Sequence, residues 1–121
     1  MAKLLINAVL MLVPTLAFGE TWVCSSSDRY IHTLERKPQA FEKITRAVFD
    51  DLPTTTLPAA NYTLLHESSE WLVLSQIQID EVNGAAILGM IINKNTGKYV
   101  LDSVRSIEFE ARKEFGDCVE T

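Results

Sequence analysis

The chain is poor in the residues that do chemistry. Its 121 residues include two histidines and two cysteines, and no C-x-x-C pair occurs. Two cysteines alone leave a zinc ion short of ligands. There is no low-complexity tract, no internal repeat and no basic run. The formal net charge is −5, with 16 acidic side chains against 11 basic ones. An excess of negative charge makes a poor nucleic-acid binder and gives no grip on an anionic membrane surface. Beyond the first 18 residues no apolar stretch is long enough to span a bilayer. The sequence carries no recognisable catalytic or cofactor motif, and no cofactor is expected.

What it does carry begins at the N-terminus. Lys3 gives a positive start, and Leu4 to Val13 is apolar except for Asn7. Pro14 breaks that run, and Ala17 and Gly19 fit the small-residue positions of a signal-peptidase site. This is the order of a secretory signal. Residues 1–19 are expected to be cleaved, leaving one periplasmic or secreted domain over 20–121 with no further membrane association. A lipid anchor on Cys24 is rejected, because Trp22 and Val23 stand where a lipidation site needs small residues.

Cys24 and Cys118 then read as one disulfide. The bridge would tie the start of the mature chain to its end. It also removes Cys24 as a nucleophile.

The remaining pattern is mostly β. Trp22-Val23-Cys24 and Tyr30 to Leu34 are rich in strand formers, with a turn signal at 25–28. Tyr62–Glu67 and Trp71–Ile79 follow, the latter alternating Ile77 and Ile79 with Gln76, Gln78 and Asp80. Asn83-Gly84 marks a hairpin. Residues 85–93 are apolar on both faces, which predicts the most buried strand. Gly97 suits a second tight turn. Tyr99 to Phe109 predicts a long strand with a bulge near Ser103. The ambiguous stretch is 38–52. Phe41, Ile44, Val48 and Leu52 stand at helical spacing and Pro38 suits a first turn, so a short helix is slightly favoured there over a strand. The fold class is mainly β: a small antiparallel meander or barrel closed by one disulfide.

One resemblance follows from the order of Trp22 and Cys24, the hairpin from Ile91 through Tyr99, and Gly116 with Cys118. The layout resembles small uncharacterised bacterial periplasmic β-domain proteins and is similar to the C-type lysozyme inhibitors. That resemblance implies a compact antiparallel barrel. The inhibitors' Ser-Gly-x-x-Tyr loop has no counterpart here: the nearest piece is Ala59-Ala60-Asn61-Tyr62. The resemblance therefore carries a fold expectation and no functional residue.

The chemical candidates are thin. His66-Glu67 starts like a zinc-protease motif, but Glu70 stands where the second histidine belongs. A site from His32, His66 and Glu67 would need adjacent strands. Asp50-Asp51 and Asp80-Glu81 flank turns, where solvated carboxylates are the rule. Ser25, Ser26 and Ser27 have no recognisable base near them. Asn61-Tyr62-Thr63 is a glycosylation sequon that matters only in a eukaryotic secretory host. Trp22, Tyr62, Trp71 and Tyr99 are large amphipathic aromatics suited to partner or ligand contact. The reading is therefore a non-enzymatic, exported binding or inhibitor protein acting on another extracytoplasmic protein. The alternative is a calycin-like carrier of a small apolar ligand, with residues 85–92 lining its barrel. The two differ in whether the barrel fills itself.

Overall fold

A computed structural model describes residues 20–27, 29–82, 84–106 and 110–121. The expected signal segment, Asn83 of the hairpin and residues 107–109 lie outside them.

Nine strands form among the described residues: β1 (Thr21–Ser26), β2 (Tyr30–Lys37), β3 (Ala40–Ala47), β4 (Thr55–Thr56), β5 (Ala60–Glu67), β6 (Trp71–Asp80), β7 (Gly84–Asn93), β8 (Lys98–Arg105) and β9 (Glu110–Glu120). Every pairing is antiparallel. Short turns favour that outcome, because consecutive strands joined by a few residues pair with each other. Pro38-Gln39 makes one such turn with Gln39 at φ 62°, and Gly97 makes another at φ 79°. β3 pairs with both β2 and β5, and β9 returns onto β1. Eight strands thus close into a barrel, with the two-residue β4 added to β3. No helix occurs among the described residues.

The seam between first and last strand is covalent. Cys24 stands opposite Cys118 in the β1–β9 register, and the two are joined across 94 residues of sequence. Closing a loop of that length stabilises a fold by about 4–5 kcal/mol in the chain-entropy account. Gly116 sits beside the bridge. A Cβ there would come 2.1 Å from the Ser25 carbonyl oxygen, so only glycine lets β9 approach β1. The bridge is consistent with an oxidising, extracytoplasmic compartment. No helix of the described residues is long and apolar enough to cross a membrane.

The barrel is filled at one end only. Leu34, Phe41, Leu72, Leu74, Met90 and Ile92 are buried there with Trp22 and the disulfide. An ionic plug covers this end. Arg36 donates to Glu20 at 2.6 Å and to Glu67 at 2.5 Å, with its guanidinium 4.7 Å from the Phe41 ring centroid. Lys94 donates to the same Glu67 oxygen at 2.8 Å, and the Trp22 indole donates to Glu20 at 2.7 Å. The plug satisfies the polar atoms that the apolar core leaves at its edge.

Several sequence expectations change. The helix favoured over 38–52 is absent: Ala40–Ala47 is strand β3, with Phe41, Lys43, Thr45 and Ala47 facing inward and Ile44 outward. The helical spacing was accidental, because half of the inward positions are polar. Strand β7 is buried on one face only. Ala86, Leu88, Met90 and Ile92 point in, while Ile87 and Ile91 are exposed. The strand expected from Tyr99 to Phe109 ends at Arg105, and the bulge expected near Ser103 is not there, as β8 runs in unbroken register from Lys98 to Arg105. A register shift occurs instead in β5, between Leu64 and His66.

Candidate functional site

The unfilled end of the barrel is a cavity of about 560 Å³. Its position follows from strand alternation. On each strand the inward side chains near the closed end are apolar, and those beyond them turn polar. β2 contributes His32 and Tyr30 above Leu34, and β3 contributes Lys43 and Thr45 above Phe41. β6 supplies Gln76 and Gln78 above Leu74, and β8 supplies Ser103 and Arg105 above Leu101. On β9, Arg112 and Glu114 line the cavity, and Lys113 stands at its rim. The apolar share comes from Leu57, Pro58, Ala60, Leu88 and Leu101.

The wall also opens sideways. The β5–β6 ladder stops at Thr63 and Ser75, while β6 continues its pairing with β7 out to Asp80 and Gly84. A shallow groove lined by Ala59, Ala60, Asn61, Ser75, Gln76 and Ile77 occupies the gap. Ala59, Ala60 and Gln76 border both groove and cavity, so the two lie side by side.

A hydrogen-bonded chain fixes the cavity floor. His32 Nε2 lies 2.5 Å from Glu114 Oε2, and the Tyr99 hydroxyl donates to the same oxygen at 2.6 Å. A carboxylate only accepts, so Nε2 carries the hydrogen and Nδ1 is left to the Thr45 hydroxyl at 2.8 Å. Burial acts to raise the Glu114 carboxyl. Hydrogen bonds from His32 and Tyr99, with the nearby Lys43 charge, outweigh it and hold Glu114 below the usual carboxylate range. This chain spans β3, β2, β9 and β8 and rigidifies one side of the cavity.

Lys43 is the unusual member. It is 8% exposed, and its ammonium lies 4.9 Å from the Tyr62 ring centroid. It makes no hydrogen bond or ion pair with the described residues. Burial pushes it down to about 8, against a partial opposing pull from Glu114. A cation–π contact returns about 0.5–2 kcal/mol, whereas taking an ammonium out of water costs several. The Glu114 oxygen that His32 and Tyr99 share is already occupied. Lys43 therefore remains under-compensated. Tyr62 is itself pushed up to about 12, chiefly by burial.

The balance of charge is local. Among the described side chains, Lys43, Arg105, Arg112 and Lys113 line this cavity with one carboxylate, Glu114, within a chain of net charge −5. Several acidic residues stand away from it: Asp50 pairs with Arg29 at 2.7 Å on the surface, Asp51 and Glu81 are exposed at turns, and Asp80 is exposed at the end of β6.

The four candidate aromatics separate. Tyr62 lines the cavity, and Tyr99 lies beneath it through its bond to Glu114. Trp22 is buried at the closed end, and Trp71 is on the outer face. His32 is interior, while His66 is exposed on β5, so they do not join in a metal site with Glu67, which belongs to the plug. Among the described residues no group of three or more metal-ligating side chains forms. Sequence reasoning passed over Lys43, Gln76, Gln78 and Arg105. The period-two spacing Phe41-x-Lys43-x-Thr45 was the available signal, once that segment is taken as strand.

No known protein family, no characterised protein sequence and no solved structure matches this chain.

Proposed function

We propose that the protein is a non-catalytic extracytoplasmic binding protein that takes a small polar ligand into the open end of its barrel. The observation that carries this is the half-filled interior: a cavity of about 560 Å³, of the size that small-molecule sites have, lined by side chains from seven strands. A barrel that only had to be stable would gain by filling that space with apolar side chains. Its polar lining directs the carrier reading to a polar ligand instead of an apolar one. The lateral groove beside β5 supports it as a route of entry.

The test is a screen of chemically diverse small molecules against the isotope-labelled protein by amide NMR. Binders should shift the amides of β3, β6 and β8 around the cavity. A screen in which no compound moves those amides would sink the reading.

Action on a partner protein is favoured by a second observation. Ile77 and Ile79 are 70% and 83% exposed, and Ile77, Ile87 and Val104 stand side by side on the outer face of β6, β7 and β8. An apolar row of that kind on a sheet exterior suits contact with another protein. A pull-down from the exported fraction with wild type and with the Ile77→Ser, Ile87→Ser double variant tests it. A partner retained by both proteins would remove this row from consideration.

A further inference from the structure

We infer that the ligand of the barrel cavity is a small organic anion, whose carboxylate or phosphate head is received by Lys43 with Arg105 near the mouth. The inference rests on the small-ligand reading and specifies the chemistry of that same site.

Three observations carry it. Lys43 is more than nine-tenths buried, lines the cavity, and has no hydrogen-bond acceptor among the described residues. An ammonium in that position lacks what an oxyanion would bring. Glu114, the one carboxylate among the described side chains of the lining, does not fill the role. It is held by His32 and Tyr99, and it acts on Lys43 only through its charge. Arg105 faces inward on β8 and makes no hydrogen bond or ion pair with the described residues, so a second cation looks into the cavity from the opposite wall. The rest of the lining says what the head is attached to. Leu57, Pro58, Leu88 and Leu101 offer apolar contact, and Gln76, Gln78 and Ser103 offer neutral hydrogen bonds. An anion with a carbon body uses both halves of this lining, whereas a bare inorganic ion uses one.

A matched probe series decides the matter. Benzoate, phenyl phosphate, benzamide and benzylammonium share one ring and differ in the head group, and inorganic phosphate lacks the ring. Each is titrated into the labelled protein at neutral pH and low salt. Benzoate or phenyl phosphate should shift the cavity amides and bind at least about tenfold more tightly than benzamide, and benzylammonium should not bind. The stronger of the two anions identifies the head as carboxylate or phosphate. Lys43→Met should erase the preference for the anion over benzamide, Lys43→Arg should retain it, and Arg105→Gln should reduce it.

Equal binding of benzoate, phenyl phosphate and benzamide in the cavity would overturn the inference and leave the small-ligand reading standing. So would a preference that survives Lys43→Met. Inorganic phosphate binding as well as phenyl phosphate would overturn the organic part. Failure of both anions would overturn the inference as a whole, and the small-ligand reading would then stand or fall on the diverse screen.

Discussion

Replacing Lys43 by methionine should stabilise the protein while it damages the cavity. Methionine keeps the unbranched length that lies against Tyr62 and removes the charge. The magnitude comes from the titration of the lysine. In the unfolded chain it titrates near its ordinary 10.5, and in the barrel burial brings it down to about 8. Holding the charged form in the folded state therefore costs about 3 kcal/mol. The sign follows from proton counting. Below pH 8 both states bind the proton and the full cost is present. Between pH 8 and 10.5 the unfolded chain binds the proton and the folded one has lost it, so stability rises with pH. Glu114, Arg105 and Tyr62 also face this group, but all three remain in the variant, so the difference between the two proteins isolates Lys43. Urea unfolding at pH 7 should show Lys43→Met more stable by about 3 kcal/mol, equivalent to about 10–20 °C in Tm for a domain of this size. At pH 10 the gap should shrink below about 1 kcal/mol. With no free cysteine, no thiol starts disulfide exchange at the alkaline end. A variant no more stable than wild type at pH 7, or a gap that does not narrow at pH 10, would refute the reasoning.

Other outcomes follow from the same geometry. Replacing Cys24 and Cys118 together by serine should lower the unfolding free energy by about 4 kcal/mol, and a chemical denaturation curve that did not move would show the bridge to be idle. Gly116→Ala drives a Cβ to within 2.1 Å of the Ser25 carbonyl, so β9 must part from β1; a loss of about 3 kcal/mol or more is expected, read by thermal melting. Burial acts to raise Glu67, but bonds from Lys94 and Arg36 hold it below its ordinary 4.5. Its contribution is present in full above pH 4.5 and fades as pH falls through the lowered value, so acid titration of wild type against Glu67→Gln should show the two curves converging below pH 4.5.

The hairpins and the seam were legible in the sequence because they depend on local signals. Asn83-Gly84 and the Asn93–Lys98 turn announce strand ends, and two cysteines leave only one possible pairing. β3 was not legible, and the reason is physical. Alternation reveals a strand's period but not which phase faces inward. Where a barrel end is wet, Lys43 and Thr45 point in and Ile44 points out, which breaks the apolar stripe that identifies a strand. β6 does the same: Gln76 and Gln78 line the cavity, and Ile77 and Ile79 face solvent. The site was hidden for the same reason. Tyr62 was found because it is aromatic, while Lys43 and Arg105 look like surface residues until the wall closes around them.

The position of the disulfide has a mechanical consequence. β1 and β9 are antiparallel neighbours, and the amide of Thr121 donates to the carbonyl of Thr21 at 2.8 Å. Tension applied between residues 20 and 121 would peel this ladder one rung at a time, from Trp22–Glu120 inward. The peel reaches Cys24–Cys118 after one further pair, Val23–Val119, and stops at a covalent bond. All 94 residues of separation between the cysteines are then off the line of force, so the cavity keeps its shape under a pull that would unravel the reduced protein. Stretching one molecule before and after a reductant should change the released length from a few residues to almost the whole barrel.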